Sequence, residues 1–362
     1  MTKIPAPNQT RLSKNHSVMG IRVAASGMSM GSKLMANADL AKLGYDSEWI
    51  IQRTGIESRC HAAPGEATSD FAVLSAEKCL EQANVSPAEV DLIIVATMTP
   101  DHLCPSTACL VQHALGCKSA AAIDVNAACS GFVYAFAMAS QFVKTGCSRY
   151  ALVIGAETLT AIMDPKDVKT YPLFGDGAGA VLLTADSDTN LEDTNLEDSN
   201  APTGDDFQPS GILSYKLASD GSMGDALIVP ACGSRQPVSP QTIEQREQFL
   251  KMDGRTVFKW AVRMIPEIVK QTLALAEMSL DDVDLFIPHQ ANTRIINAAV
   301  ESLGMAPEKV FVNLDRYGNT SAASIPVAIV EALQQGRIKR GDNVLMVGFG
   351  GGLTWGSCLF RW

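Results

Sequence analysis

Cys129 lies in Asp124-Val-Asn-Ala-Ala-Cys-Ser-Gly-Phe-Val-Tyr134, a β-type run that turns through Cys-Ser-Gly into an apolar helical stretch. A thiol at a helix N-terminus is expected to have a lowered pKa, because the macrodipole and the free N–H groups favour the thiolate. The same N–H groups suit the oxyanion of a thioester under attack. An arbitrary cysteine more often packs as a small hydrophobe, so this one needs partners. His289, in Phe286-Ile-Pro-His-Gln-Ala-Asn292, follows an apolar strand, and strand ends are where α/β proteins bind ligands; an isolated His is more commonly structural. Asn319, in Tyr317-Gly-Asn-Thr-Ser-Ala-Ala-Ser324, precedes a small-residue helical stretch, a place where Asn also serves simply as a cap. In Gly348-Phe-Gly-Gly-Gly-Leu-Thr-Trp-Gly356, three consecutive glycines after a strand let backbone N–H groups approach a ligand, although a tight turn accounts for them equally.

An internal echo supplies the elements that must position these residues. Ser86-Pro-Ala-Glu-Val-Asp-Leu-Ile-Ile94 returns as Ser279-Leu-Asp-Asp-Val-Asp-Leu-Phe-Ile287, and Asp91 and Asp284 stand 193 apart (284 − 91). Ala151-Leu-Val-Ile-Gly-Ala-Glu157 and Val344-Leu-Met-Val-Gly-Phe-Gly350 keep the same offset (345 − 152 = 193). One offset at two separated places predicts a duplicated α/β unit. Helical periodicity over Cys129–Lys144, Val257–Leu275 and Thr293–Leu303 alternates with β-branched runs, which predicts mixed α/β layers. Position 322 is the duplicate of Cys129 (129 + 193), so Asn319 opens the counterpart of the Cys129 helix. Pseudo-twofold pairing then brings both helix N-termini to one centre, with His289 at a neighbouring strand end.

The halves divide at residues 187–210, where Thr-Asn-Leu-Glu-Asp occurs twice in tandem. This acidic stretch cannot bury a face and reads as an exposed insertion or loop, with a docking element as the alternative. The expected organisation is residues 1–186 as the half carrying the Cys nucleophile, 187–210 as the insertion, and 211–362 as the half carrying His and Asn. Nine scattered cysteines with no C-x-x-C pair argue against a disulfide framework or a metal site. A formal charge of −10 disfavours nucleic acid and anionic membrane as partners. With no apolar run of spanning length and no apolar h-region in the first twenty residues, a cytoplasmic location is expected.

Together, the Asn-Ala-Ala-Cys-Ser-Gly, Pro-His-Gln-Ala-Asn, Tyr-Gly-Asn-Thr-Ser-Ala-Ala-Ser and Phe-Gly-Gly-Gly-Leu-Thr-Trp-Gly blocks make the chain resemble the β-ketoacyl-acyl carrier protein synthase III family, from about Gly20 to Trp362 apart from the 187–210 insertion. In relatives that elongate existing chains the Asn place is typically a second His, and in thiolases a second Cys acts; Asn319 therefore points to the initiating type or to chalcone-synthase-like enzymes. The resemblance implies a thiolase fold, α/β, with two duplicated halves in a five-layered αβαβα arrangement. It implies that Cys129 takes an acyl group from an acyl-CoA, and that malonyl-acyl carrier protein then loses CO₂ to give an enolate that attacks the enzyme thioester. His289, through Nε–H, and the Asn319 amide would stabilise the developing charge, and the backbone N–H groups of Cys129 and Gly351 would form the oxyanion hole. No cofactor or metal is implied, since CoA and phosphopantetheine are substrate carriers.

By the same resemblance, Trp49 and Arg53 would contact the CoA nucleotide, while Val168 replaces the second adenine-stacking Arg, a loss for which Lys169 stands in as the possible compensation. Lys259, Arg263 and Arg294 would dock the acidic carrier protein; as residues alone they also suit a solvated helix face. The family forms homodimers, and Cys104 would reach the partner's acyl pocket, its small side chain leaving room for medium-length primers; plain packing at the dimer interface is the alternative. Two further readings are a specialised quinolone- or polyketide-type condensing enzyme and a catalytically inactive scaffold.

Overall fold

Leu92-Ile-Ile-Val-Ala96 and Leu285-Phe-Ile-Pro288 are short, continuous apolar runs, and each is buried along its length as a strand in the parallel part of a sheet. A strand covered on both faces needs no polar alternation. The computed structural model describes residues 16–41, 44–186 and 209–362. Two five-stranded mixed sheets organise them. The first runs Ile21–Met30, Gly177–Ala185, Tyr150–Glu157, Leu92–Ala96, Ala121–Val125; the second runs Val18–Met19, Gly211–Ser219, Thr354–Arg361, Asn343–Gly350, Leu285–Pro288.

The offset of 193 holds in three dimensions. Tyr150–Glu157 maps onto Asn343–Gly350 end for end, and in both sheets that strand pairs parallel with its neighbour on one side and antiparallel on the other. The helices Gly131–Lys144 and Ser324–Gln334 (324 − 131 = 193) are duplicates as well, each entered through a short 3₁₀ turn, Ala128–Ser130 and Ser321–Ala323.

These two helices lie between the sheets. Phe132, Phe136, Ile325 and Ile329 pack with Val153 and Val181 of the first sheet and with Met346 and Phe360 of the second. The strand alternation sends Leu152 and Ile154 the other way, onto Thr68–Ala83 and Thr107–Leu115. On the far side Gly254–Leu275 and Thr293–Leu303 cover the second sheet through Trp260, Ile265, Ile295 and Leu345. Helix, sheet, helix, sheet, helix is the five-layered arrangement the sequence resemblance implied.

Of the acidic insertion expected at 187–210, residues 187–208 lie outside the described residues. Its flanks meet: the Ser210 N–H donates to Asp186 Oδ2 at 2.9 Å, and the Gly20 N–H to the Ser210 carbonyl at 2.9 Å. Val18–Met19 pairs with Gly211–Ile212, so the N-terminal part of the chain supplies a strand to the second sheet. Among the described residues, no helix is long and apolar enough to cross a membrane.

Candidate active site

Cys129 sits in the 3₁₀ turn that feeds the central helix Gly131–Lys144. Ala128, just before it, adopts a left-handed backbone (φ +46°), held by its N–H donating to Asn126 Oδ1 at 3.2 Å. A non-glycine residue there costs on the order of 1 kcal/mol, and such strain clusters at functional sites. The strand Asn343–Gly350 runs against this turn. A Cβ on Gly350 would lie 2.6 Å from the Cys129 nitrogen, and one on Gly348 would lie 2.8 Å from the Ser130 Cα. Glycine is required there for close approach to the Cys129 turn. Of the three consecutive glycines it is Gly350 that borders the cavity described below; Gly351 follows it and faces Leu227.

His289 follows strand Leu285–Pro288, and its backbone N–H continues the ladder to the Val347 carbonyl at 2.7 Å. Its side chain is 1% exposed. Nδ1 lies 2.6 Å from the Ser324 hydroxyl, which also accepts the Gln290 N–H at 3.3 Å. With the Ser324 hydroxyl donating to Nδ1, the ring proton stands on Nε2. Burial pushes the His289 pKa down to about 3, so the imidazole is neutral.

Asn319 is clamped through its backbone: its N–H donates to the Leu173 carbonyl at 2.8 Å and its carbonyl accepts the Gly175 N–H at 3.0 Å. Its Oδ1 accepts the Ser321 N–H at 2.9 Å. Asn319 is not the N-cap residue of the Ser321–Ala323 turn, which is Thr320 with no side-chain cap; its local bond to the Ser321 N–H fixes the amide so that the NH₂ is left to donate. Cys129, His289, Asn319, Phe349 and Gly350 line one cavity of about 150 Å³, with Leu173, Phe174, Leu227, Trp260 and Ile295 among its apolar walls. Phe349 packs edge-on to His289, ring centroids 5.1 Å apart. A larger open cleft of about 740 Å³ is lined by Glu77, Glu81 and Glu89, with no cysteine or histidine among its lining residues.

One expectation is corrected. The Cys129 thiol is not lowered: burial pushes its pKa up to about 12, and the nearby Glu157 charge adds to the rise. Cys129 is 6% exposed and the neighbouring His289 is neutral, so the helix N-terminus acts against desolvation with no cation to assist it.

Trp49 and Arg53 lie together on helix Ser47–Thr54, the guanidinium 5.9 Å from the indole centroid. Asn292, which lines the cavity, donates through Nδ2 to the Arg53 carbonyl at 3.0 Å, so this helix adjoins the cavity. Val168 and Lys169 are exposed. Lys259 and Arg263 are exposed on helix Gly254–Leu275, and Arg294 lies 5.6 Å from the centroid of Phe258, another lining residue. Cys104 is exposed and does not line the cavity of its own chain. Ser324, Ser321 and Glu157 were not singled out from sequence. Both serines stood inside the Tyr317–Ser324 block, and Glu157 ends the repeated strand where its duplicate is Gly350 (157 + 193).

The family model described as 3-oxoacyl-[acyl-carrier-protein] synthase III matches residues 123–200, and that for its C-terminal region matches residues 273–362. The β-ketoacyl-[acyl-carrier-protein] synthase III of Rhodopirellula baltica is 51% identical over 343 residues, covering 95% of this chain and 99% of the relative. That of Natranaerobius thermophilus is 46% identical over 342 residues, covering 94% and 99%. The crystal structure of 3-oxoacyl-[acyl-carrier-protein] synthase III from Aquifex aeolicus VF5 superposes with a TM-score of 0.81 at 42% identity, covering 95% of this chain and all of that one.

Proposed function

The chain belongs to the 3-oxoacyl-[acyl-carrier-protein] synthase III family, and we propose that it carries out the initiating condensation of fatty acid synthesis with Cys129 as nucleophile and His289 and Asn319 as paired donors. It is an acyltransferase of the condensing type. The convergence of these three side chains on one cavity carries the assignment of their roles.

Cys129 Sγ attacks the carbonyl of an acyl-CoA, the C–S bond to CoA breaks, and CoA leaves as the thiol. Malonyl-acyl carrier protein follows; its carboxylate departs as CO₂, the enolate carbon forms a C–C bond to the acyl carbon, and the C–S bond to Cys129 breaks, returning the thiol and giving 3-oxoacyl-acyl carrier protein. Charge gathers on the malonyl thioester oxygen during decarboxylation. Two neutral donors, His289 Nε2–H and the Asn319 NH₂, meet it without creating an ion pair that would outlast the step. The Ser324 contact to Nδ1 and the Ser321 contact to Asn319 Oδ1 support those donor assignments. The backbone N–H groups of Cys129 and Gly351 serve as the oxyanion hole for acyl transfer. No metal or cofactor enters the reaction.

Trp49 and Arg53 receive the CoA nucleotide on the helix that adjoins the cavity, with Val168 in place of a second stacking residue. Lys259, Arg263 and Arg294 dock the carrier protein, their positive charge standing out on a chain of net charge −10. The working form is a homodimer in which Cys104 meets the partner's acyl pocket, and the place of action is the cytoplasm. Intact mass spectrometry after incubation with acyl-CoA tests the central assignment: the wild type should gain one acyl mass and Cys129→Ala none. An adduct retained in Cys129→Ala would overturn it.

A further inference from the structure

The Ser324 hydroxyl that touches His289 Nδ1 is one corner of a closed circuit of buried hydrogen bonds. Gln290, next to the histidine and also buried, donates its backbone N–H to Ser324 Oγ at 3.3 Å. Its side chain staples the strand end to the segment facing it. Nε2 donates to the Pro288 carbonyl at 2.7 Å and to the Phe311 carbonyl at 3.2 Å, and Oε1 accepts the Asn313 N–H at 3.0 Å. Asn313, buried as well, donates through Nδ2 to Glu331 Oε2 at 2.9 Å, and the other Glu331 oxygen meets the half-exposed Arg316 guanidinium. Glu331 stands seven positions after Ser324 (331 − 324) on helix Ser324–Gln334, and so on the same face of it. The circuit leaves that helix at Ser324, crosses Gln290 and Asn313, and returns to it at Glu331.

Two observations give this circuit a role beyond packing. The first is its composition. Burying a charged pair such as Glu331 and Arg316 costs desolvation that its attraction seldom repays, and apolar side chains of the same volume would hold the helix at least as well. What a fully satisfied network does supply is a fixed geometry: both Gln290 side-chain N–H groups and its oxygen are bonded, as are both Glu331 oxygens. The second is its confinement to one half. Under the offset of 193, His289, Ser324 and Glu331 correspond to Ala96, Gly131 and Met138. The duplicated strand and helix therefore pack together with none of these three polar side chains, and they appear in the half that holds a histidine ring.

We propose that Gln290, Asn313 and Glu331 are positioning residues that fix the ring of His289 through Ser324, so that Nε2 keeps its place in the cavity during malonyl decarboxylation. The inference rests on His289 being a donor in that step. Ser324 holds the ring at Nδ1 and Phe349 meets it edge-on at 5.1 Å. A serine hydroxyl rotates to suit its neighbours; the Gln290 N–H fixes which way this one turns, and the circuit holds Gln290 against the first turn of the helix. A donor moved away from the oxygen it serves loses much of its effect on the transition state. Acylation of Cys129, which sits at the entry to the other central helix, does not call on this ring in the same way.

The test separates malonyl-acyl carrier protein decarboxylation, read as CO₂ release, from acylation of Cys129 by acyl-CoA, read by mass on the intact enzyme. Glu331→Met and Asn313→Ala break one link of the circuit from either side. Each should slow CO₂ release about 10- to 10²-fold, in kcat more than in KM, and leave acylation within about twofold. Glu331→Gln, which still accepts from Asn313, should recover most of the rate. A double variant, His289→Ala with Asn313→Ala, should be no slower than His289→Ala alone, because a brace for an absent ring has nothing to hold. Multiplied losses in that double variant would overturn the proposal, as would parallel losses of acylation and decarboxylation in the single ones; either would mean a structural role. Unchanged CO₂ release in Asn313→Ala would overturn it as well, whether or not Glu331→Met folds. Unchanged CO₂ release in His289→Ala would instead overturn the donor assignment itself, a result distinct from all of these.

Discussion

At the scale of single residues, burial sets the chemistry of this site. It makes the His289 imidazole neutral, lifts the Cys129 thiol, and holds Glu157 well above the usual carboxylate range. His289→Ala and Asn319→Ala are expected to slow malonyl decarboxylation by about 10²–10³ while acylation of Cys129 changes much less, as the loss of an electrostatic donor requires. Separate assays of CO₂ release and acyl-enzyme formation check this, and mutants that stopped acylation with normal CO₂ release would reverse the assignment. Glu157 also gives a stability signature. Its folded pKa of about 7 lies above the unfolded value near 4.3, so between those pH values the native state holds the extra proton and stability falls as pH rises. Glu157→Gln should remove that fall, leaving its Tm less sensitive to pH between about 4.5 and 7 than that of the wild type; equal slopes in the two proteins would contradict the shift.

At the scale of elements, the decisive contact is a strand end laid on a helix-entry turn, made twice. Gly348 and Gly350 let one strand touch the Cys129 turn, and Gly155 lets its duplicate touch the Ser321 turn. Helix Gly254–Leu275 contributes on both sides: Trp260 and Met264 bury into the core, whereas Lys259 and Arg263 face solvent. Exposed charges of this kind add little stability, but they steer a charged partner. Lys259→Glu and Arg294→Glu should raise KM for malonyl-acyl carrier protein several-fold and weaken its salt dependence, while turnover of malonyl-CoA stays closer to wild type. Equal losses with both extenders would assign these residues to the cavity instead.

At the scale of the whole molecule, two half-chains share the central helical layer, and Phe132, Phe136, Ile325 and Ile329 belong to one core with both sheets. The strand Ala121–Val125 ends the first sheet and exposes Ile123, and Met138 and Phe142 are exposed on helix Gly131–Lys144, in keeping with the proposed homodimer. If Cys104 reaches the partner's acyl pocket, its small side chain leaves space in which each added primer methylene contributes about 0.8 kcal/mol. Octanoyl-CoA should then be used as well as acetyl-CoA, and Cys104→Phe should narrow the preference to acetyl. A strict acetyl preference in the wild type that the substitution leaves unaltered would exclude this reading.

The sequence by itself determined the duplicated α/β plan, because an offset of 193 repeated at two strand pairs leaves little freedom in how the halves match. It also named Cys129, His289 and Asn319, because each stands beside a turn or strand end that the repeat makes equivalent or adjacent. Only the tertiary structure decided the protonation chemistry. A thiol pKa depends on how much water the fold removes, and no local rule for helix N-termini contains that quantity: the sequence favoured a lowered thiol, and desolvation raised it. The His289 contact likewise comes from Ser324, 35 residues away, and the orientation of the Asn319 amide from a turn whose left-handed Ser321 is not visible in residue types. That Glu157 pairs with Gly350 under the offset is legible in the residues, but the full burial of its carboxyl against Thr97 and Thr99 is set only by the fold.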